Sequence, residues 1–301
     1  MKHLKIALDW TANTNHMGFF IARELGYYKE RNLEVSLMTP AEDDYEVTPA
    51  KKVELGIADF ALCPLESIIS YQTKEKPFNL KAIAAIYQED LSAIAVKEDS
   101  GIKCPADLDG KSYASYKARY EDKIVEELIK NDGGEANLEI TYPDKLGIWE
   151  TLLKDKADAT WIFLNWEAYQ AEAQGIKMRY FKLKDYNIPY SYSPVIAVNG
   201  NTVEKHRETY SDFLQATKAG FFYAEDYPKE AAEILRKYIP ENEKKLDLVA
   251  SINYSVAYLG AKENWGRLNP VLIGRFVKWL DDHQLETETL KTYDLIYKIL
   301  D

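Results

Sequence analysis

The sequence has few of the residues that build covalent, metal or nucleotide sites. It contains two cysteines, Cys63 and Cys104, and four histidines, which lie far apart with no metal-ligand spacing. Two cysteines could form one disulfide, but a reduced pair is the simpler interpretation for a chain without a leader. The dinucleotide, P-loop and nucleophile-elbow glycine motifs are missing. We therefore expect no metal site and no cofactor, and nothing signals a nucleotide or acyl-transfer enzyme.

The chain also has no net positive charge, and its apolar runs are short. The formal charge of −11 argues against binding to nucleic acid, which needs a basic face, and against an anionic membrane surface. No apolar run approaches the ~20 residues that a membrane-spanning helix needs, so no membrane insertion is expected. Residues 1–5 lead directly into the first strand and lack the features of a secretory signal. We expect a cytoplasmic protein, or a periplasmic or extracellular one if a leader was removed.

Short strands alternate with helices along the first two thirds of the chain, which is typical of an α/β fold. The alternation breaks at the polar stretch 97–101 and restarts at Lys111, whereas the last third is predicted to be helical. The repeated pattern favours two lobes with mixed sheets, lobe I from residues 1–92 and 193–301 and lobe II from residues 93–192. Two hinge strands would join the lobes and close a cleft on a ligand. One continuous sheet is the alternative.

The stretch from Leu8 to Phe20 is the strongest candidate for a binding site. It joins a predicted strand to a predicted helix, so its polar side chains would lie at the carboxyl end of the first strand, where α/β folds bind ligands. A solvent-exposed connection is the alternative. The candidate ligand contacts in this loop are Asp9, Trp10, Asn13 and His16.

The stretch from Trp161 to Glu167 has the same chemistry in the second lobe. Trp166 or Trp10 could stack on a planar ligand, and Glu167 or Asp9 could accept hydrogen bonds from its N–H groups. Trp161 lies within the predicted strand and is better explained by core packing.

Two further corners come after predicted strands. Glu66-Ser67 and Ser115-Tyr116 are each predicted to open a helix, whose free N–H groups could hold a polar ligand group. Alternatively, the two serines only cap those helices. Tyr192 belongs to a group of tyrosines at the second predicted crossing between the lobes and offers a rigid amphipathic surface to a ligand.

The opening loop and several later segments carry a resemblance to a known superfamily. The matching residues are Asp9-Trp10-x-x-Asn13-x-x-His16-x-Gly18-Phe19, Ala22, Gly26 to Glu30, Leu33 to Val35, Ala58 to Phe60 and the Trp166-Glu167 corner. This pattern resembles that of the fungal thiamine-pyrimidine synthases, the bacterial formylaminopyrimidine-binding proteins and the alkanesulfonate-binding proteins. The resemblance implies a bilobal periplasmic-binding-protein-like fold of type II. The run Asp59 to Ser67 is more similar to a poorly characterised group without an export signal.

The same resemblance tests for synthase activity. It places Cys63 where the synthases carry the lysine that anchors pyridoxal phosphate, and Ser67 where they carry the histidine that is consumed. The segment from Ile188 to Tyr192 also lacks the cysteine cluster that binds iron in the synthases. A pyrimidine synthase is therefore not expected.

These observations together predict a non-catalytic binding protein whose cleft closes on a small heteroaromatic metabolite, such as a thiamine-precursor pyrimidine. One alternative is an enzyme that acts on a similar metabolite, with His16 and Asp9 as a general base pair. The other is the solute-binding component of an ABC importer, with its leader removed.

Overall fold

The computed structural model describes residues 1–44, 46–143, 151–152, 154–286 and 290–300. In these residues the strands are β1 (Lys2–Ala7), β2 (Leu33–Met38), β3 (Phe60–Cys63), β4 (Leu80–Ala85), β5 (Ser92–Lys97), β6 (Ser112–Ala114), β7 (Glu139–Thr141), β8 (Ala159–Phe163), β9 (Met178–Phe181) and β10 (Val195–Asn199). The helices are α1 (Met17–Glu24), α2 (Tyr27–Glu30), α3 (Pro49–Glu54), α4 (Leu65–Thr73), α5 (Glu121–Asn131), α6 (Glu167–Ala173), α7 (Arg207–Asp226), α8 (Pro228–Arg236), α9 (Leu248–Val256), α10 (Pro270–Asp282) and α11 (Thr292–Leu295). None of the described helices is long and apolar enough to cross a bilayer.

The chain forms two compact units. Unit 1 contains Met1–Asp90, Ser191–Gly274 and Glu288–Asp301, and unit 2 contains Leu91–Tyr190 and Arg275–Thr287. The predicted lobes assigned all of residues 193–301 to lobe I, whereas the second half of α10 groups with unit 2. The sequence pattern also predicts a short helix from Gly147 to Lys154, which lies largely outside the described residues.

Each unit has its own five-stranded mixed sheet, so the alternative of one continuous sheet is wrong. The order in unit 1 is β2-β1-β3-β10-β4, and β10 runs antiparallel to both of its neighbours. The order in unit 2 is β7-β6-β8-β5-β9, with β5 antiparallel to β8 and β9. Strands β1 and β3 are parallel neighbours, so the loop after β1 and the corner after β3 meet at one edge of the sheet.

The aromatic core of unit 1 packs α1 and α7 against the sheet. The Phe213 ring stacks on the rings of Phe60 and Tyr28, with distances between ring centroids of 4.0 and 5.5 Å. The rings of Phe19 and Phe221 make an edge contact, with their centroids 5.7 Å apart. All five side chains are buried. Burial of a large apolar side chain contributes about 1.5–3 kcal/mol, so this cluster strongly fixes the start of α1.

Two glycines allow the closest approach between α1 and α7. A Cβ atom on Gly220 would lie 2.1 Å from the backbone oxygen of Gly18, and a Cβ atom on Gly18 would lie 2.2 Å from the Phe221 ring. Because Gly18 comes two residues after His16, this crossing also helps to position the opening loop.

We predict that Gly220→Ala destabilises the protein by about 2–3 kcal/mol, since the new methyl group meets backbone and not a flexible side chain. Without that clash, glycine to alanine within a helix would stabilise by about 1 kcal/mol. Urea denaturation measures the change, with Glu225→Ala on an exposed position of α7 as the control. A Gly220→Ala variant as stable as the parent would contradict the close packing.

Candidate functional site

The opening loop leaves β1 at the carboxyl edge of the unit 1 sheet and enters a one-turn 3-10 helix, Thr14–His16, which leads into α1. The Leu8 N–H group donates to the Met38 oxygen at 2.9 Å, which continues the β1–β2 ladder one residue further. Asp9 and Trp10 are half-buried, and Asn13 and His16 are buried. Hydrogen bonds connect Asp9, Asn13 and His16 in this loop, and Trp10 follows Asp9 in the chain.

His16 uses both of its ring nitrogens. The backbone N–H group of Asn13 donates to Nδ1 at 3.3 Å, and Nε2 lies 2.7 Å from Asp9 Oδ1. Since Nδ1 accepts, the ring proton belongs on Nε2 and is donated to the carboxylate. The imidazole is fully buried, whereas a fifth of the Asp9 side chain is exposed. Oδ1 of Asp9 is thus hydrogen-bonded to the buried His16 ring, while part of the Asp9 side chain remains exposed to solvent.

Asn13 acts as the N-cap of the 3-10 helix. Its side-chain oxygen accepts from the Asn15 N–H group at 2.8 Å, and its amide nitrogen donates to the Thr11 oxygen at 3.1 Å. This is the ordinary chemistry of an asparagine cap. A side chain predicted to contact a ligand therefore builds the loop.

Two residues that are distant in the sequence form hydrogen bonds with Thr14 in this loop. The Tyr87 hydroxyl donates to the backbone oxygen of Thr14 at 3.1 Å, and Ser251 Oγ lies 3.2 Å from Thr14 Oγ1. Ser251 lies on α9, whose Ser255 hydroxyl donates to the Ser251 oxygen at 2.8 Å. Because these contacts are buried, the loop is fixed by residues far away in the sequence.

The corner after β3 lies beside the opening loop. Ala7 pairs with Ala61, so continuing this parallel register by two residues places Asp9 next to Cys63. Burial raises the pKa of the Cys63 thiol, and the charges of Asp9 and Glu66 raise it further, while a hydrogen bond with Ser67 has the opposite effect. A buried thiol with a raised pKa is not a nucleophile at neutral pH.

Helix α4 begins at this corner, as predicted for Glu66-Ser67. However, the Leu65 N–H group donates to the Tyr192 oxygen and the Ser67 N–H group to the Pro64 oxygen, both at 3.0 Å. These two donors are therefore not available to a ligand group. Tyr192 is buried, and its hydroxyl accepts from the Asn269 N–H group at 3.0 Å. It connects two segments of unit 1 within the core.

We predict that NMR of the His16 ring will show a neutral imidazole with its proton on Nε2. We also expect His16→Ala to cost about 2–4 kcal/mol in stability, because the substitution leaves the Asn13 N–H group and the Asp9 carboxylate without their partner. His3→Ala is the control, since the His3 side chain is 74% exposed. A proton on Nδ1 would contradict the assigned hydrogen bonds.

In unit 2, the expectation that Ser115-Tyr116 opens a helix is wrong. Helix α5 begins at Glu121, and residues 115–120 form a loop in which Lys117 has a left-handed φ of 59°. Ser115 is buried and its hydroxyl donates to Asp122 Oδ1 at 2.6 Å, while it accepts from the Lys117 N–H group at 3.0 Å. This serine therefore shapes the loop and caps no helix.

The carboxylate of Glu121 occupies the centre of that loop. It accepts from the Tyr116 N–H group at 3.0 Å, the Ala118 N–H group at 3.2 Å and the Tyr113 hydroxyl at 2.7 Å. Backbone N–H groups that converge in this way form an anion-binding concavity. Here an internal carboxylate fills it. Glu121 is not among the residues predicted from the sequence, although a glutamate in the first turn of a helix after a polar loop is the available signal.

Burial raises the pKa of Glu121, against the effect of its three hydrogen bonds. A raised folded-state pKa means that the folded protein holds the proton more tightly than the unfolded chain. The contribution of this group is therefore complete below its ordinary value of 4.5 and is lost as the pH rises through the folded pKa.

We expect the free energy of unfolding of Glu121→Gln to fall less than that of the parent protein as the pH rises from 4.5 towards neutrality. Urea denaturation at a series of pH values measures this difference in slope. The control is Glu126→Gln on the same helix, whose carboxylate pairs with Lys123. Equal slopes for the parent and Glu121→Gln would show that Glu121 does not titrate as its burial implies.

Strand β8 ends in the second predicted corner, and here the structure reverses the expected exposures. Trp166 was predicted to stack on a ligand but is fully buried. Trp161 was predicted to lie in the core but is half-buried, and its ring makes an edge contact with the ring of Tyr190, with the centroids 5.3 Å apart. Glu167 is also buried, and its carboxylate accepts from the Phe163 N–H group at 2.8 Å. The burial of the Tyr116 hydroxyl and the charge of Glu167 raise the pKa of Tyr116, so these two side chains are close.

The family model described as "NMT1/THI5 like" matches residues 13–231, which is more than two thirds of the chain. The chain belongs to the NMT1/THI5-like family.

Two relatives of the chain, with 22% and 24% identity, cover most of its length. The formylaminopyrimidine-binding protein of Halalkalibacterium halodurans is 22% identical over 100% of this chain and 91% of its own. The 4-amino-5-hydroxymethyl-2-methylpyrimidine phosphate synthase of Legionella pneumophila is 24% identical over 92% of this chain and 87% of its own.

The fold agrees with solved structures. The ligand-binding component of an ABC-type import system from Staphylococcus aureus superposes with a TM-score of 0.73, at 16% identity, over 100% of this chain and 98% of its own. The predicted periplasmic-binding-protein fold is confirmed.

Within this NMT1/THI5-like chain, the eleven predicted site residues fall into two sets. Unit 1 contains Asp9, Trp10, Asn13, His16, Glu66, Ser67 and Tyr192, and unit 2 contains Ser115, Tyr116, Trp166 and Glu167. The contacts of Asn13, His16, Ser115 and Tyr192 are structural. Asp9, Trp10, Ser67 and Tyr116 keep half-buried side chains, and their contact with a ligand stays a prediction.

Proposed function

We propose that this protein binds a small heteroaromatic molecule rich in N–H groups, of the thiamine-precursor pyrimidine type, and releases it unchanged. The supporting observation is the Asp9 carboxylate at the carboxyl edge of the unit 1 sheet. One of its oxygens is held by His16, and its side chain is partly exposed. Such a carboxylate accepts a hydrogen bond from the amino group of an aminopyrimidine without having to reorganise.

The relatives support this class of ligand. One is named for binding formylaminopyrimidine and the other for synthesis of 4-amino-5-hydroxymethyl-2-methylpyrimidine phosphate, so both names contain an aminopyrimidine. The half-buried Trp10 comes directly after Asp9 and offers an aromatic surface to a planar ring.

The contacts around Asp9 favour binding over catalysis. A general base needs an unoccupied lone pair, but His16 accepts from Asn13 with one nitrogen and donates to Asp9 with the other. The Cys63 thiol is buried and its pKa is raised, so it does not supply a nucleophile. These groups shape and hold the carboxylate instead of activating a reactant.

The alternative role as the solute-binding component of an ABC importer uses the same binding chemistry. It is supported by the name of the Staphylococcus aureus structure. In that role the bound molecule would be handed to a membrane partner, so the two roles differ in location and partner but not in the site.

We predict that formylaminopyrimidine and 4-amino-5-hydroxymethyl-2-methylpyrimidine bind in isothermal titration calorimetry, and that Asp9→Asn weakens binding at least tenfold. A hydrogen bond to a charged acceptor is worth about 1.5–3 kcal/mol, and tenfold corresponds to about 1.4 kcal/mol. Glu34→Gln is the control, because it removes an exposed carboxylate from β2 in the same unit.

Two results would overturn the proposal. One is a sulfonate or sugar that binds while neither pyrimidine does, which would replace the ligand class. The other is conversion of the pyrimidine into a product of different mass by the parent protein but not by His16→Ala, which would make the protein an enzyme. Mass spectrometry of the incubated mixture distinguishes this case from simple release.

A further inference from the structure

The indole N–H group of Trp166 is buried without a hydrogen-bond acceptor. The Trp166 side chain is fully buried, and none of the described residues accepts from Nε1. A buried donor without an acceptor costs free energy, so such groups in native proteins are normally satisfied by a bound molecule or an ordered water. The indole therefore requires an acceptor from outside the described part of the chain.

The surroundings of Trp166 indicate what that acceptor is. The residue lies just beyond β8, at the carboxyl end of the strand, where α/β sheets bind ligands. Its neighbour Glu167 lies close to Tyr116, which is half-buried. Trp166 thus comes directly before a carboxylate, which only accepts hydrogen bonds, whereas its own indole can only donate.

A second indole in the chain provides a contrast. Trp265 is equally buried and its Nε1 also has no partner among the described residues, but its ring packs 5.7 Å from Phe221 in the aromatic core of unit 1. The ring of Trp265 thus packs against another apolar ring, whereas Trp166 is followed in the chain by a carboxylate. Trp265 therefore serves as the reference signal when the ligand is added to the protein.

We infer that Trp166 is a hydrogen-bond donor to a small ligand at this corner of unit 2, through Nε1–H to an acceptor atom such as a ring nitrogen or a formyl oxygen; the ligand class rests on the proposed function. This role replaces the stacking contact predicted from the sequence. A ligand with an acceptor at this point would be favoured over one that presents only N–H groups, because the indole has no acceptor atom.

The test is an NMR titration of the ¹⁵N-labelled parent protein with formylaminopyrimidine. The sequence contains six tryptophans, and the Trp166 indole signal is assigned with Trp166→Phe or by through-bond correlation. We expect the Trp166 signal to move further than that of Trp265 and its exchange with water to slow. An unmoved Trp166 signal at saturation would overturn the inference.

Calorimetry gives the second measurement. Trp166→Phe keeps an aromatic ring but removes the donor, so we expect affinity for formylaminopyrimidine to fall about tenfold. The matched control is Trp161→Phe on β8, for which we expect a change of less than about twofold. Parent affinity in a folded Trp166→Phe variant would mean that the donor serves only a water molecule.

The two proposals fail in different ways. If the parent protein binds neither pyrimidine, the proposed function is wrong and the role of Trp166 is rejected with it. If the parent binds but the Trp166 signal and the variant's affinity are unchanged, the function stands and only the donor role is rejected. If Trp166→Phe does not fold, the titration of the parent protein still decides.

Discussion

The candidate site of unit 1 depends on one buried histidine that uses both ring nitrogens. Because the Asn13 N–H group occupies Nδ1, Nε2 must donate, and it donates to Asp9. The hydrogen bond between His16 and Asp9 connects the end of the opening loop to its beginning. In the proposed function, a carboxylate held in this way is oriented before the ligand arrives, which lowers the entropic cost of binding.

The orientation of this pair depends on packing far away in the sequence. Gly18 lies just after the loop and meets Gly220 on α7, and Thr14 is held by Ser251 on α9. Residues from the last third of the chain thus position a loop that begins at residue 8. A substitution at Gly220 is therefore expected to act on the loop without touching any residue that was predicted to contact a ligand.

Local patterns made only part of the fold and site predictable from the sequence. The strand–loop–helix order around Asp9 and the two-sheet division reflect hydrophobic periodicity and polar breaks. The antiparallel insertion of β10 between β3 and β4 pairs distant segments, which no local pattern encodes. Trp161 lies in β8 but Trp166 lies beyond its end, so strand alternation does not decide which of the two is buried. The helix after Ser115 begins at Glu121 and not at Ser115-Tyr116, because the intervening loop wraps around the Glu121 carboxylate.

The charges of the candidate residues restrict the ligand more than the fold does. In unit 1, Asp9 and Glu66 both act on Cys63, and in unit 2 Glu121 and Glu167 both act on Tyr116. In a medium of low dielectric constant, such carboxylates repel a phosphate or sulfonate group and attract N–H groups. The loop that could have held an anion in unit 2 already holds a carboxylate of the chain itself. In the proposed function, a neutral or cationic ligand therefore suits the carboxylates of each unit better than an anionic one.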